Sequence, residues 1–174
     1  MAGYEAPERV SAHDLQRLFD AAFRASHNVC LRGGAIEPLY EPATATGPAV
    51  VHFRADYPRS ALHEVAHWCH AGHRRRQLVD YGYWYSPDDR NALEQAAFFA
   101  VEARPQALES LFCSALGLPF EASIDNLSLP VAPSVRSGFE QRIRQATARY
   151  RYEGLPARAA AFCGALQNYA RRLQ

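Results

Sequence analysis

His63, Glu64 and His67 stand in the pattern His-Glu-x-x-His. On a helix the two histidines lie one turn apart on one face, where two imidazole nitrogens can hold one divalent metal ion. Glu64 projects to the side, within reach of a water bound to that metal. A catalytic metal ordinarily takes three protein ligands and keeps open positions, so a third ligand is expected downstream. The candidates are Glu94, Glu102 and Glu109, with Asp80, Asp88 and Asp89 behind them. Glu102 is the best of these. It lies near an expected helix end among Phe98, Phe99, Ala100, Val101 and Ala103, and a carboxylate in such company needs a partner. Glu94 and Glu109 read as ordinary surface acids. His70 and His73 offer spare nitrogens, but the one-turn pair has the better spacing. His13 reads as an exposed helix residue and His52 as a strand residue.

Two histidines and one carboxylate support more than one chemistry. With zinc, and with Glu64 as base toward a bound water, such a site hydrolyses amides. With iron(II), the same three ligands leave positions open for dioxygen and substrate. A closed, four-coordinate metal would instead be structural. Spacing alone does not choose among these, and the motif by itself favours the zinc peptidase.

The motif needs a helix to carry it. Leu62, Val65, Ala66 and Cys69 supply the apolar stripe, Trp68 joins the core, Ser60 is a plausible N-cap, and Ala71-Gly72 ends the helix. A strand over Ala49–Phe53 precedes it. Further upstream, Ser11-Ala-His-Asp14 reads as a capping box opening a helix to about Ser26. Val29–Leu31 reads as a short strand, Gly33-Gly34 as a turn, and Ile36–Tyr40 as a second short strand. After the motif, Arg74–Arg76 is a basic helix exit or a partner-binding patch. Leu78–Tyr85 is rich in Tyr and Trp and reads as an extended segment that either lines the cleft or covers the core. Ser86-Pro87 starts a helix that Pro105 ends or kinks, with a further helix over Gln106–Leu116. Residues 117–133 read as loop, Ser134–Tyr152 as a helix stopped by Gly154, and Pro156–Leu173 as the last helix, with Ala160, Phe162, Cys163, Leu166 and Tyr169 facing in.

The 174 residues suffice for one domain with a real core, spanning 1–174 with the first ten residues loose. The formal net charge of +1 selects neither nucleic acid nor membrane. All 19 basic residues are Arg, which excludes a lysine nucleophile or Schiff base. The four cysteines, Cys30, Cys69, Cys113 and Cys163, are too scattered for a disulfide framework or a zinc knot. Residues 1–14 lack the apolar core of a leader, and a cytoplasmic protein with reduced thiols is expected.

Five blocks then change the expected chemistry. They are His63-Glu-Val-Ala-His-Trp-Cys69, Gln77-Leu-Val-Asp-Tyr-Gly-Tyr-Trp-Tyr-Ser-Pro-Asp88, Val101-Glu-Ala-Arg-Pro-Gln-Ala-Leu108, Leu111-Phe-Cys113 and Ala165-Leu-Gln-Asn-Tyr169. Together they resemble the bacterial elongation factor P hydroxylase family, over most of the chain. The resemblance implies a monooxygenase that adds a hydroxyl to a lysine of elongation factor P already extended by a β-lysyl group. It implies iron(II) as the metal, dioxygen as co-substrate, and His63, His67 and Glu102 as the ligands. Glu64 matches the motif acid and is expected to orient a metal-bound water or a substrate amine. The fold implied is α+β, a single zincin-like domain with several helices on a small sheet. Ser86 and Phe99 depart from the family pattern, neither at a ligand position. A cationic lysine entering such a site suggests that aromatic residues from Tyr81 to Tyr85, with Tyr83 and Trp84 foremost, embrace its stem and ammonium. Asp80 or Asp88 would serve as counter-charge, and Arg74–Arg76 would face an acidic partner protein.

Overall fold

The computed structural model describes residues 10–82, 92–124 and 131–173. The first helix, α1 (Ala12–His27), opens on the expected capping box. Ser11 Oγ accepts from Asp14 N at 3.1 Å, and Ser11 N donates back to Asp14 Oδ2 at 3.2 Å. Leu15, Phe19 and Phe23 recur at helical spacing and are buried. Asn28, in the left-handed region at φ 49°, turns the chain into the sheet.

That sheet has three strands: β1 (Val29–Ala35), β2 (Leu39–Glu41) and β3 (Ala49–Arg54). Their order is β1-β3-β2, with β3 central, parallel to β1 and antiparallel to β2. The pairing sets Leu31 opposite Val51 on one side and Tyr40 opposite Val51 on the other. Gly33-Gly34 is not a turn. Both residues lie inside β1, where the register with β3 shifts between Arg32 and Ala35. A Cβ on Gly33 would stand 2.7 Å from the Phe53 ring and 2.8 Å from Ala55 O, so only glycine lets the strands approach this closely.

The motif helix, α2 (Pro58–His70), begins earlier than expected. Tyr57 is its N-cap and Pro58 its first residue, where a missing N–H costs nothing. Ser60 is therefore inside the helix, and its hydroxyl accepts from Arg54 N at 3.0 Å, tying α2 to β3. Ala61, Leu62, Val65, Ala66, Trp68 and Cys69 are buried. At the far end Arg158 Nη2 donates to the carbonyls of Trp68, Cys69 and Ala71 at 3.2, 3.1 and 2.6 Å. These are carbonyls that a helix terminus leaves unpaired.

After α2 the described residues form two 3-10 turns, Arg75–Gln77 and Val79–Gly82, so the first part of the aromatic run is not extended; Tyr83–Tyr85 lie outside the described residues. The basic run is accordingly not a helix end. Arg75 Nη1 donates to Tyr81 O at 2.9 Å, and Arg76 O accepts from the Tyr40 hydroxyl at 2.8 Å. The Ser86-Pro87 helix start lies outside the described residues.

Pro105 neither ends nor divides the next helix. One helix, α3, runs from Ala92 to Leu116 with Pro105 inside it. Pro105 withholds one intrahelical hydrogen bond, but burial on both sides of it fixes the helix: Glu102, Ala103, Gln106, Ala107 and Leu108 are all buried. Helix α4 (Pro133–Glu153) stops at Gly154, whose φ of 94° a side chain would oppose. Helix α5 (Ala157–Arg172) turns Ala159, Phe162 and Leu166 inward, while Ala160 is exposed, contrary to the sequence pattern.

The main core gathers α1, the sheet, α2, α5 and the second half of α3 around Phe19, Phe23, Trp68, Phe112 and Phe162. Each such buried side chain contributes roughly 1.5–3 kcal/mol by leaving water. A second cluster, Phe98, Phe99, Ala103, Ala107, Phe139 and Ile143, joins α3 to α4. The architecture is α+β, with five helices and one small sheet among the described residues. No described helix is long and apolar enough to cross a membrane.

Candidate metal centre

Helix α2 presents its motif histidines to α3. His67 is 8% exposed, and Glu102, reaching across from α3, is 1% exposed. His67 Nε2 lies 3.1 Å from His63 Nε2 and 3.2 Å from Glu102 Oε1, and His63 Nε2 lies 3.6 Å from Glu102 Oε2. Two imidazole nitrogens and a carboxylate thus converge on one point, all within 4.8 Å of one another. Donor atoms held about 2.1 Å from one ion stand roughly 3.0–3.4 Å apart, so these separations and this donor set fit a single divalent metal. Among the described residues, no other His, Cys, Asp or Glu joins this cluster. His70, half-buried one turn further on, is outside it.

Two residues hold the three in place, and sequence reasoning missed both. Glu109 is not a surface acid. It is 7% exposed, and its Oε2 lies 2.8 Å from His63 Nδ1. A carboxylate there accepts the Nδ1 proton, so that a metal displacing the Nε2 proton would meet that nitrogen already directed at the cluster. Gln106, fully buried, does the same for the acid: its Nε2 donates to Glu102 Oε2 at 3.3 Å and to Ser123 O at 2.9 Å. Its Oε1 accepts from Ser123 N at 3.0 Å, which fixes the amide's orientation. The signal was present in the spacing. Glu102, Gln106 and Glu109 are four and three residues apart, which puts them on one helix face. An assumed break at Pro105 hid it.

The charges follow from this geometry. Burial disfavours the ionised Glu102, but His67 and His63 beside it, with the Gln106 hydrogen bond, outweigh that and lower its carboxyl to about 2. Burial likewise disfavours a charged His63, yet Glu109, Glu102 and Glu64 raise it well above the usual imidazole range. Glu64 is half-buried and raised, first by burial and then against the opposing pull of the two histidines. Glu102 is therefore an ionised ligand-type carboxylate, whereas Glu64 stands beside the cluster.

The remaining site candidates separate. Asp80 comes near, but its Oδ1 is engaged, accepting from Tyr40 N at 2.8 Å. Tyr83, Trp84 and Asp88 lie outside the described residues. Glu94 is exposed, as expected, and His52 pairs through Nε2 with Glu41 Oε2 at 2.8 Å on the sheet. Tyr81, the first of the aromatic residues expected to line the cleft, is buried and places its ring 6.4 Å from that of His67, nearly parallel at 13°.

Residues 18–174 match the family model described as elongation factor P hydroxylase. The chain belongs to that family. It is also 40% identical over 147 residues to the elongation factor P lysine hydroxylase of Haemophilus influenzae, a match covering 84% of this chain and 82% of that protein. The family match takes in α2, α3 and every residue of the His63–His67–Glu102 cluster. Membership makes the chain an enzyme of hydroxylase type.

Proposed function

We propose that this protein hydroxylates the β-lysyl-extended lysine of elongation factor P, with iron(II) held by His63, His67 and Glu102 and dioxygen as co-substrate. The observation that carries the reading is the convergence of two imidazoles and one ionised carboxylate on a single point between α2 and α3. Family membership supplies the substrate class.

Iron(II) bound by such a triad supplies oxygen activation, with positions left for dioxygen and substrate. The chain's own residues do the rest. Glu109 fixes the His63 tautomer, and Gln106 fixes the carboxylate of Glu102. Tyr81 lies against one side of His67. Glu64, beside the ligands, suits the orientation of a bound water or a substrate amine. Asp80, Tyr83 and Trp84 are assigned to the substrate side, Asp80 as a fixed negative charge and the two aromatics as walls for the lysine stem. The reading includes a single zincin-like domain and a cytoplasmic enzyme with neither a nucleic-acid nor a membrane partner.

The test is direct. The protein is incubated with β-lysylated elongation factor P, iron(II), a reductant and oxygen. The peptide bearing the modified lysine is expected to gain the mass of an oxygen atom, and His67→Ala and Glu102→Ala are expected to abolish the gain. No gain from metal-loaded wild type would overturn the proposal. Cleavage of the factor, blocked by His63→Ala, would replace it with the zinc hydrolase.

A further inference from the structure

Residues 78–82 hold an unfavourable local structure. Asp80 and Tyr81 both lie in the left-handed region, at φ 47° and 58°. Each non-glycine residue so placed costs about 1–3 kcal/mol and persists only where its surroundings enforce it. Here they do. Asp80 accepts from Tyr40 N, Arg75 donates to Tyr81 O, and the Tyr40 hydroxyl donates to Arg76 O. The Tyr40 and Tyr81 rings stack at 4.4 Å, 12° apart.

What this bracing achieves is to turn Tyr81 inward against His67, to 5% exposure. Among the described residues its hydroxyl nevertheless has no hydrogen-bond partner. A buried hydroxyl left unpaired costs about 1–3 kcal/mol, and a phenylalanine would fill the same space without that cost. A phenol is a neutral hydroxyl at ordinary pH, and Glu64 lies within electrostatic reach of this one. Glu64 is the second unfilled group. Among the described residues its half-buried carboxylate makes no hydrogen bond or ion pair.

The surroundings favour a cation. Glu64, Glu102, Glu109 and Asp80 bring four carboxylates around the two histidines. A divalent metal would offset two of those four charges, and Arg75 is occupied with Tyr81 O at 2.9 Å. A carboxylate and a neutral phenol oxygen, both acceptors, match the N–H groups of a primary ammonium.

We propose that Glu64 and Tyr81 form the subsite for the substrate's primary ammonium, beside the His63–His67–Glu102 cluster. Glu64 takes the charge, and the Tyr81 oxygen accepts one N–H. The assignment rests on the hydroxylase reading and deepens it: it gives the strained turn a purpose and gives Glu64 a role other than hydrolytic base.

The test is calorimetric binding of n-butylamine to the metal-loaded protein without oxygen, with n-butanol as the uncharged comparator. Wild type is expected to prefer the amine. Glu64→Gln should weaken amine binding about tenfold or more and Tyr81→Phe roughly five- to tenfold, since each removes a hydrogen bond to a charged group. Both variants should keep their metal, and butanol binding should barely move. With the whole factor as substrate, Tyr81→Phe should raise KM more than it lowers kcat. Equal binding of amine and alcohol would overturn the subsite. So would wild-type amine affinity in both variants, the result expected if the amine simply coordinates the metal, and so would metal loss from Tyr81→Phe. Amine selectivity without oxygen transfer to the factor would sink the hydroxylase reading alone. Oxygen transfer with unselective binding would sink the subsite alone.

Discussion

Replacing Glu109 should weaken the metal centre without touching a ligand. Its Oε2 sits 2.8 Å from His63 Nδ1, and its side chain is 10% exposed, so little solvent is available to replace it. A hydrogen bond to a charged group in such a place is worth about 1.5–3 kcal/mol, and at about 1.4 kcal/mol per decade this is roughly 10- to 100-fold in metal affinity. Outer partners of metal-bound histidines commonly have effects in that range. Glu109→Ala leaves the Nδ1–H unpaired and the ring free to rotate, so it should reach the upper end. Glu109→Gln can still accept through its amide oxygen and should fall near the lower end. The assay is anaerobic titration of iron(II) against a chromophoric chelator, with far-UV circular dichroism confirming the fold and Glu153→Gln as a surface control. Wild-type affinity in Glu109→Ala, alongside loss of binding in His63→Ala, would refute the idea that Glu109 sets the His63 tautomer.

Arg158→Met keeps the aliphatic stem but removes the donor to three carbonyls at the end of α2. It should cost about 3 kcal/mol, seen as a fall in Tm of roughly 6–12 °C; an unchanged melting point would mean that water satisfies those carbonyls equally well. Gly33→Ala should destabilise by about 1–3 kcal/mol in urea unfolding, because the new Cβ meets Phe53 and Ala55 O inside 3 Å. Asp14 is held at about 2, below its usual 3.8, chiefly by the Ser11 hydroxyl. A carboxyl depressed by folding stabilises above its unfolded value and loses that contribution as the pH falls. The stability gap between wild type and Asp14→Asn should therefore be full above pH 3.8 and vanish toward pH 2, and a gap independent of pH over that window would refute the capping-box account.

Much of the site was legible because its signals are local. His63 and His67 are fixed by helical period, Ser11 and Asp14 by cap chemistry, and Gly154 by the conformation that ends a helix. Glu102 could be picked out as a carboxylate among apolar neighbours, which burial must pair. The misreadings have one kind of cause, since in each a tertiary contact overrode a local preference. Gly33-Gly34 carries a turn signature, but close packing on Phe53 keeps it in the strand. Ser60 is a good cap, yet Pro58 starts the helix sooner and the serine is drawn to Arg54 N. The aromatic run after α2 has the composition of a strand, but Tyr40, Arg75 and Arg76 pull its first residues into a strained turn.

Pro105 is the misreading with the greatest consequence. At about 100° per residue, Glu102, Gln106 and Glu109 span roughly 60° of arc only if the helix continues through it. A break there would separate the ligand-type carboxylate from the acid that orients His63. Continuity of α3 makes one rigid element carry an inner donor, the amide that steadies it, and the carboxylate reaching past it to the opposite helix. The His-Glu-x-x-His spacing on α2 is equally suited to hydrolysis and oxidation. The facing helix differentiates the acids: Glu102 is ionised and turned into the cluster, Glu109 is committed to His63, and Glu64 is left beside both with an open face. A hydrolytic base at that face needs a metal-bound water within its reach. An enzyme that must seat a charged side chain needs an acceptor there, and the inward-turned hydroxyl of Tyr81 beside Glu64 fits the second requirement.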